Sequence, residues 1–125
     1  MIIIKLTDIE LEIMDLLWKN ETPLTASEII SASPNRTWKE TSIHVILKTL
    51  QAKNAVLLDG YVPTAGRSAG VYKAALTVEE YAVTQVRGYG VNLGNFIKAI
   101  VEDEVYSDML SESGWVIETT DITER

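Results

Sequence analysis

The sequence predicts a mainly α-helical chain with one small β-hairpin, and three observations carry that prediction. Thr-x-x-Glu occurs four times, at Thr7–Glu10, Thr25–Glu28, Thr37–Glu40 and Thr77–Glu80. In a capping box the Thr oxygen accepts from the amide three residues on while the Glu reaches back to the Thr amide, so each pair marks a helix start. After Asn54 the apolar spacing changes from three-and-four to near alternation, broken by Gly and Pro, as in strands joined by a turn. Finally, 125 residues with 46% hydrophobic content and no cysteine suffice for one core plus an appendage, held without disulfides.

The first helix is expected over Asp8–Lys19, with Ile9, Ile13, Leu16 and Leu17 on one stripe and Met14 and Trp18 beside it. Asn20-Glu21-Thr22-Pro23 ends it. A second helix, about Ala26 to Ala32, buries Ile29 and Ile30 and stops ahead of Pro34, which disfavours helix at the preceding residue. The third spans the stretch TWKETSIHVILKTLQAKN, residues 37–54, with Ile43, Ile46, Leu47 and Leu50 as its core stripe. Asn54 stands where a left-handed residue would end it.

Residues 55–62 and 71–76 then read as strands, separated by an eight-residue loop, 63–70, rich in turn formers. Thr77 caps a fourth helix, about Val78 to Arg87, and Gly88, Gly90 and Gly94 loosen the chain beyond it. A last amphipathic helix is expected from Leu93 to about Leu110. The residues from Ser111 to Arg125, with Trp115 among them, yield no assignment. Trp18 and Trp38 are expected to serve packing.

Helix, helix, helix, hairpin is the order of a winged helix-turn-helix, whose third helix enters the DNA major groove while the wing lies along the backbone. The expected organisation is a winged-helix domain over residues 1–77 and a C-terminal helical region over 78–125. At about 100° per residue, the face of helix 3 opposite its core stripe presents Thr41, Val45, Lys48 and Ala52, flanked by His44 and Thr49. Thr41, Ser42, His44, Val45 and Lys48 are therefore the candidates for base edges: Val suits a thymine methyl, and Lys can donate to guanine O6 and N7. Arg36, Lys39, Lys53, Arg67 at the wing tip and Lys73 are the candidates for phosphate.

The formal charge of −7 does not exclude such a partner, because it is unevenly spread. Residues 1–35 sum to −4, residues 36–77 to +4 and residues 78–125 to −7. Exposed charges more than about 8–10 Å apart are largely screened, so the local sign around helix 3 governs its contacts. One histidine, no phosphate-cradling Gly loop and no ligand-type spacing argue against an enzyme, a metal or a cofactor. The acids Glu102, Asp103 and Glu104 read as a solvated helix face. The opening MIIIK is too short for a signal core or a membrane span, and the expectation is a cytoplasmic protein.

Leu6-Thr-Asp-Ile-Glu-Leu-Glu-Ile-Met-Asp-Leu-Leu-Trp18 resembles the opening of the penicillinase-repressor family, the BlaI/MecI type of transcriptional repressor. The likeness continues through Thr25-Ala-Ser-Glu-Ile-Ile30, Trp38, Thr41-Ser-Ile43, Leu47-Lys-Thr-Leu50, Lys53, Val71-Tyr-Lys73 and Thr77-Val-Glu-Glu-Tyr81. It implies a homodimeric repressor on a two-fold DNA operator whose C-terminal helices pair, which makes Leu93, Phe96, Ile97, Ile100 and Val101 the expected dimer interface. It also implies a regulatory protease as a possible partner, acting at an Asn-Phe bond; Asn95-Phe96 is such a dipeptide. The chain departs from the family pattern at Thr49, where members usually carry a basic residue, and at Asn54, where they carry Gly. The paired cysteines of copper-responsive relatives are absent. These departures, with only Lys39, Lys48 and Lys53 as basic residues on helix 3, keep a second reading open: a winged-helix module that binds another protein and no longer reads DNA.

Overall fold

The computed structural model describes residues 4–114; Trp115 and the remaining tail lie outside the described residues. The elements run α1 (Asp8–Lys19), β1 (Leu24–Thr25), α2 (Ala26–Ser31), α3 (Ile43–Ala52), β2 (Val56–Thr64), β3 (Arg67–Ala74), α4 (Val78–Tyr89), α5 (Leu93–Glu102) and α6 (Glu104–Ser113). They form a winged helix followed by a helical pair, and the chain divides into two compact units between Gln85 and Val86.

Three of the four Thr-x-x-Glu boxes form. The amides of Thr7, Thr25 and Thr77 each donate to the Glu three residues on at 2.8 Å, and the Thr oxygens accept in return. The fourth does not. The Thr37 hydroxyl donates instead to the Glu12 carboxylate of α1, and Trp38 is driven into the core with only 6% of its surface exposed. Burying that indole holds Lys39 extended (φ −78°, ψ 141°), so the third helix cannot start at Thr37. A short 3₁₀ turn, Glu40–Ser42, precedes α3.

The end of α3 follows expectation and has a full hydrogen-bonding account. Asn54 is left-handed (φ 61°), its amide donates to Gln51 O at 3.0 Å, and the Ala55 amide donates to Leu50 O at 2.9 Å. This is a Schellman closure, in which two terminal carbonyls find partners. Leu50 and Ala55, brought together by it, are both fully buried.

The wing differs from the expected strands and eight-residue loop. The strands reach almost to the tip, pairing Thr64 with Arg67, and a two-residue turn of Ala65 (φ 45°) and Gly66 (φ 78°) joins them. Positive φ at both positions is the type I′ geometry that matches the twist of a hairpin. Pro63 is tolerated because β2 is an edge strand in the order β1-β3-β2. Between Leu58 and Tyr61 the register slips by one residue, a bulge that includes Gly60 at φ 108°. The third strand, β1, was not expected: only Leu24 and Thr25 pair, with Tyr72 and Val71. Since Ala carries a left-handed φ reluctantly, Ala65→Asn is expected to stabilise the protein by roughly 1 kcal/mol, read as a melting temperature raised by a few degrees.

The core of the first unit gathers Ile13, Met14 and Leu17 from α1, Ile29 from α2, Trp38, and Ile43, Leu47 and Leu50 from α3. Val56 closes it from β2. Trp18 packs against this core, donates its indole N–H to Leu76 O at 2.9 Å and meets the Tyr81 ring at 5.7 Å. Both tryptophans therefore serve packing, as expected.

In the second unit the single helix expected from Leu93 to Leu110 is two. Asp103 is extended (φ −69°, ψ 131°) and its carboxylate accepts from the amides of Val105 and Tyr106, at 3.0 and 3.1 Å. Far from being only a solvated acid, Asp103 ends α5 and caps α6, because its short side chain competes for the backbone. Gly114, left-handed at φ 79°, closes α6.

Candidate nucleic-acid interface

α3 is seated at its N-terminal end by the buried Ile43 and at its C-terminal end by hydrogen bonds, and its outer face is open. At its C-terminal end Lys53 donates to the Glu10 carboxylate at 2.6 Å and to Lys5 O at 2.9 Å. Glu10 is 4% exposed and also serves the Thr7 capping box, so one carboxylate ties the start of α1 to the end of α3. Burial alone would raise the Glu10 carboxyl, but the Lys53 ammonium and the Thr7 hydrogen bonds outweigh it and hold the group below its ordinary value.

That depression has a sign in stability. A carboxylate lowered in the folded state contributes fully above its unfolded value of about 4.3 and loses the contribution as pH falls through the lower folded value. Glu10→Gln is expected to cost roughly 1–3 kcal/mol at pH 7, because Lys53 then loses a charged acceptor. The variant's melting temperature should also fall less steeply than the wild type's between pH 5 and pH 3.

Between these fastenings, His44, Val45, Lys48 and Thr49 are exposed, with Val45 at 68%. A large apolar side chain left this open on an otherwise well-packed helix is the informative kind of exposure. Thr41 is exposed and Ser42 half-buried, both in the 3₁₀ turn that enters α3. Thr49 spends its hydroxyl on Val45 O at 3.0 Å, so its donor is already turned toward its own helix.

The five phosphate candidates separate into two groups. Arg36 lies 5.6 Å over the Trp38 ring, pairs with Glu40 at 3.6 Å and donates to Ser33 O at 3.2 Å. Lys53 is held by Glu10, and Lys73 pairs with Asp59 at 3.2 Å. Lys39 and Arg67 are exposed and, like Lys48, have no ion-pair partner among the described residues. The wing, α2 and α3 bound a groove of about 360 Å³ lined by residues that include Ser27, His44, Thr64, Arg67, Ser68 and Tyr72. Of these, only His44 and Arg67 were expected from sequence, because the others are small or aromatic residues whose juxtaposition depends on how the wing folds over.

In the second unit α5 carries Leu93, Phe96, Ile97, Ile100 and Val101 at i, i+3, i+4, i+7 and i+8. None of its residues, nor any of α6, is buried. Leu93 is 67% exposed, and Val105, Tyr106 and Met109 of α6 each exceed half. Asn95-Phe96 lies in the first turn of α5, where Asn92 caps the Asn95 amide at 2.9 Å and the Phe96 amide is bonded to Asn92 O. Among the described residues no cluster of His, Cys, Asp or Glu could hold a metal ion, and no helix is long and apolar enough to cross a membrane.

Two solved structures of transcription regulators are similar in part. One, a PadR family transcription regulator from Clostridium difficile R20291, shares 19% identity over 76% of this chain and 95% of its own, at a TM-score of 0.47. The other, the Helicobacter pylori ferric uptake regulator Fur, described with three functional metal binding sites, shares 18% over 71% of this chain and 72% of its own, at 0.44. No curated protein matches the chain. The family described as penicillinase repressor matches over residues 6–113, from Leu6 just ahead of α1 to the end of α6, and the chain belongs to that family.

Proposed function

We propose that the protein is a sequence-specific DNA-binding repressor of the BlaI/MecI type, acting as a homodimer on a two-fold operator. The observation that carries this reading is the outer face of α3, where His44, Val45 and Lys48 are exposed and free of acidic neighbours on the helix while both helix ends are tied to the core. A rigid helix with an apolar contact and a long cation side by side can meet a thymine methyl and guanine acceptors in a major groove. Thr41 and Ser42, at the entry to the helix, would reach the same groove edge.

Lys39 and Arg67 are the phosphate contacts of this proposal, with Lys48 contributing charge as well as readout. Arg36, Lys53 and Lys73 act first within the protein, through their partners Glu40, Glu10 and Asp59. About six cations per dimer then meet phosphate, which corresponds to a log–log salt slope near −5. The apolar stripe of α5, with residues 78–125 as the dimerisation region, would hold two such units together. Regulated cleavage at Asn95-Phe96 would require the capped first turn of α5 to unwind, since proteases favour open, exposed chain.

A second reading is favoured by those same three internal ion pairs, which leave a thinner basic surface than the sequence suggests. It is the winged-helix module that binds another protein. Selecting bound duplexes from a random library at about 0.1 M salt, where non-specific contacts are weakened, decides between the two. The repressor yields an inverted repeat with half-sites about one helical turn apart. Folded protein that enriches nothing belongs to the module.

A further inference from the structure

A second hollow of the first unit, about 420 Å³ in volume, is shared by the end of α1, the end of β3 and the first turn of α4. That size lies within the range of small-molecule sites. Leu17 and Leu76 supply apolar surface, the Trp18 ring supplies an aromatic wall, and Glu21, Glu79 and Glu80 line it with Lys73. The groove beside the wing is of similar volume and has no carboxylate in its lining, so the gathering of acids is particular to this hollow.

The groups here that could receive an anion are already engaged. The Trp18 indole N–H is given to Leu76 O at 2.9 Å, Lys73 pairs with Asp59 at 3.2 Å, and the Thr77 amide donates to Glu80 at 2.8 Å. Glu21 and Glu79 are exposed and have no ion-pair partner among the described residues. With its N–H committed, what Trp18 offers an occupant is its ring, and the negative face of an indole attracts cations. Apolar surface, a tryptophan ring and two unpaired carboxylates in one hollow match one kind of ligand, an organic cation with an apolar body.

We infer that this hollow binds such a cation, of the quaternary ammonium or phosphonium type, with its body against Leu17, Leu76 and Trp18 and its charge toward Glu21 and Glu79. Glu80 remains the cap of α4 and adds only its field. The site does not depend on the DNA-binding reading, because neither Trp18 nor the two glutamates belong to the proposed nucleic-acid contacts.

The test uses tetraphenylphosphonium and tetraphenylborate, ions of the same shape and opposite charge, titrated calorimetrically into the full chain. Salt of about 0.15 M shortens the Debye length to about 8 Å and suppresses diffuse attraction to an acidic protein. The phosphonium is expected to bind at least about tenfold more tightly than the borate. The double variant Glu21→Gln with Glu79→Gln should weaken phosphonium binding at least about fivefold. Asp15→Asn with Asp108→Asn removes the same charge at exposed residues outside the hollow and should change it less than about twofold. In nitrogen–proton correlation spectra, the assigned Trp18 indole signal should move on titration and that of the buried Trp38 should stay in place. Equal binding of the two ions, equal losses in the two double variants, a Trp18 signal that does not move, or no phosphonium binding to wild type each overturn the inference.

Discussion

Lys48→Glu is expected to eliminate specific DNA binding while leaving the fold unchanged. Lys48 is exposed and belongs to no ion pair among the described residues, so the protein itself loses nothing by the exchange. A base contact of this type contributes roughly 1–3 kcal/mol per subunit, and a two-fold complex loses it twice, a drop of about 30-fold or more before repulsion of the new carboxylate is added. Binding to the selected duplex, measured alongside thermal melting, checks both halves of the expectation. A folded Lys48→Glu protein with wild-type affinity would remove the central residue of the proposed interface and favour the protein-binding module.

Ile100→Asp is expected to convert the proposed dimer into monomers. Ile100 sits at the middle of the α5 stripe, between Phe96, Ile97 and Val101, in a unit whose two ten-residue helices bury no residue of their own. A pair of helices that short is marginal without tertiary cover, and an apolar face of this kind is the usual mark of an interface. An aspartate there would have to be desolvated against its own symmetry mate, at a cost that the remaining contacts cannot offset. Sedimentation velocity should show wild-type dimers and variant monomers at micromolar concentration. Operator affinity should fall by a factor of about 10² or more as the second half-site contact ceases to be intramolecular. Monomeric wild type at the same concentration would defeat the dimer proposal outright.

Much of the fold was legible in the sequence, where local chemistry is sufficient. Three capping boxes form where Thr and Glu are spaced for them, α1 matches its expected bounds, and Asn54 ends α3 in the left-handed conformation. These features depend on residues within one turn of each other, so the linear order already contains the interacting partners. The resemblance carried by residues 6–18 and the later motifs agrees with the family match over residues 6–113.

What tertiary structure alone decided are the places where a distant partner outbids a local one. Thr37 has the spacing of a helix cap, yet Glu12 takes its hydroxyl and the burial of Trp38 delays the helix to Ile43. Residues 63–70 have the composition of a loop, yet pairing with the opposite strand extends the hairpin to a two-residue turn. Lys53 and Lys73 count as cations in the sequence, but Glu10 and Asp59, remote in the chain, claim them first. The groove that brings Ser27 and His44 to face Arg67 and Ser68 joins residues up to 41 positions apart in sequence. A one-dimensional pattern records which side chains can donate, accept or pack, whereas competition among those partners is resolved only when the core closes and sets the distances between them.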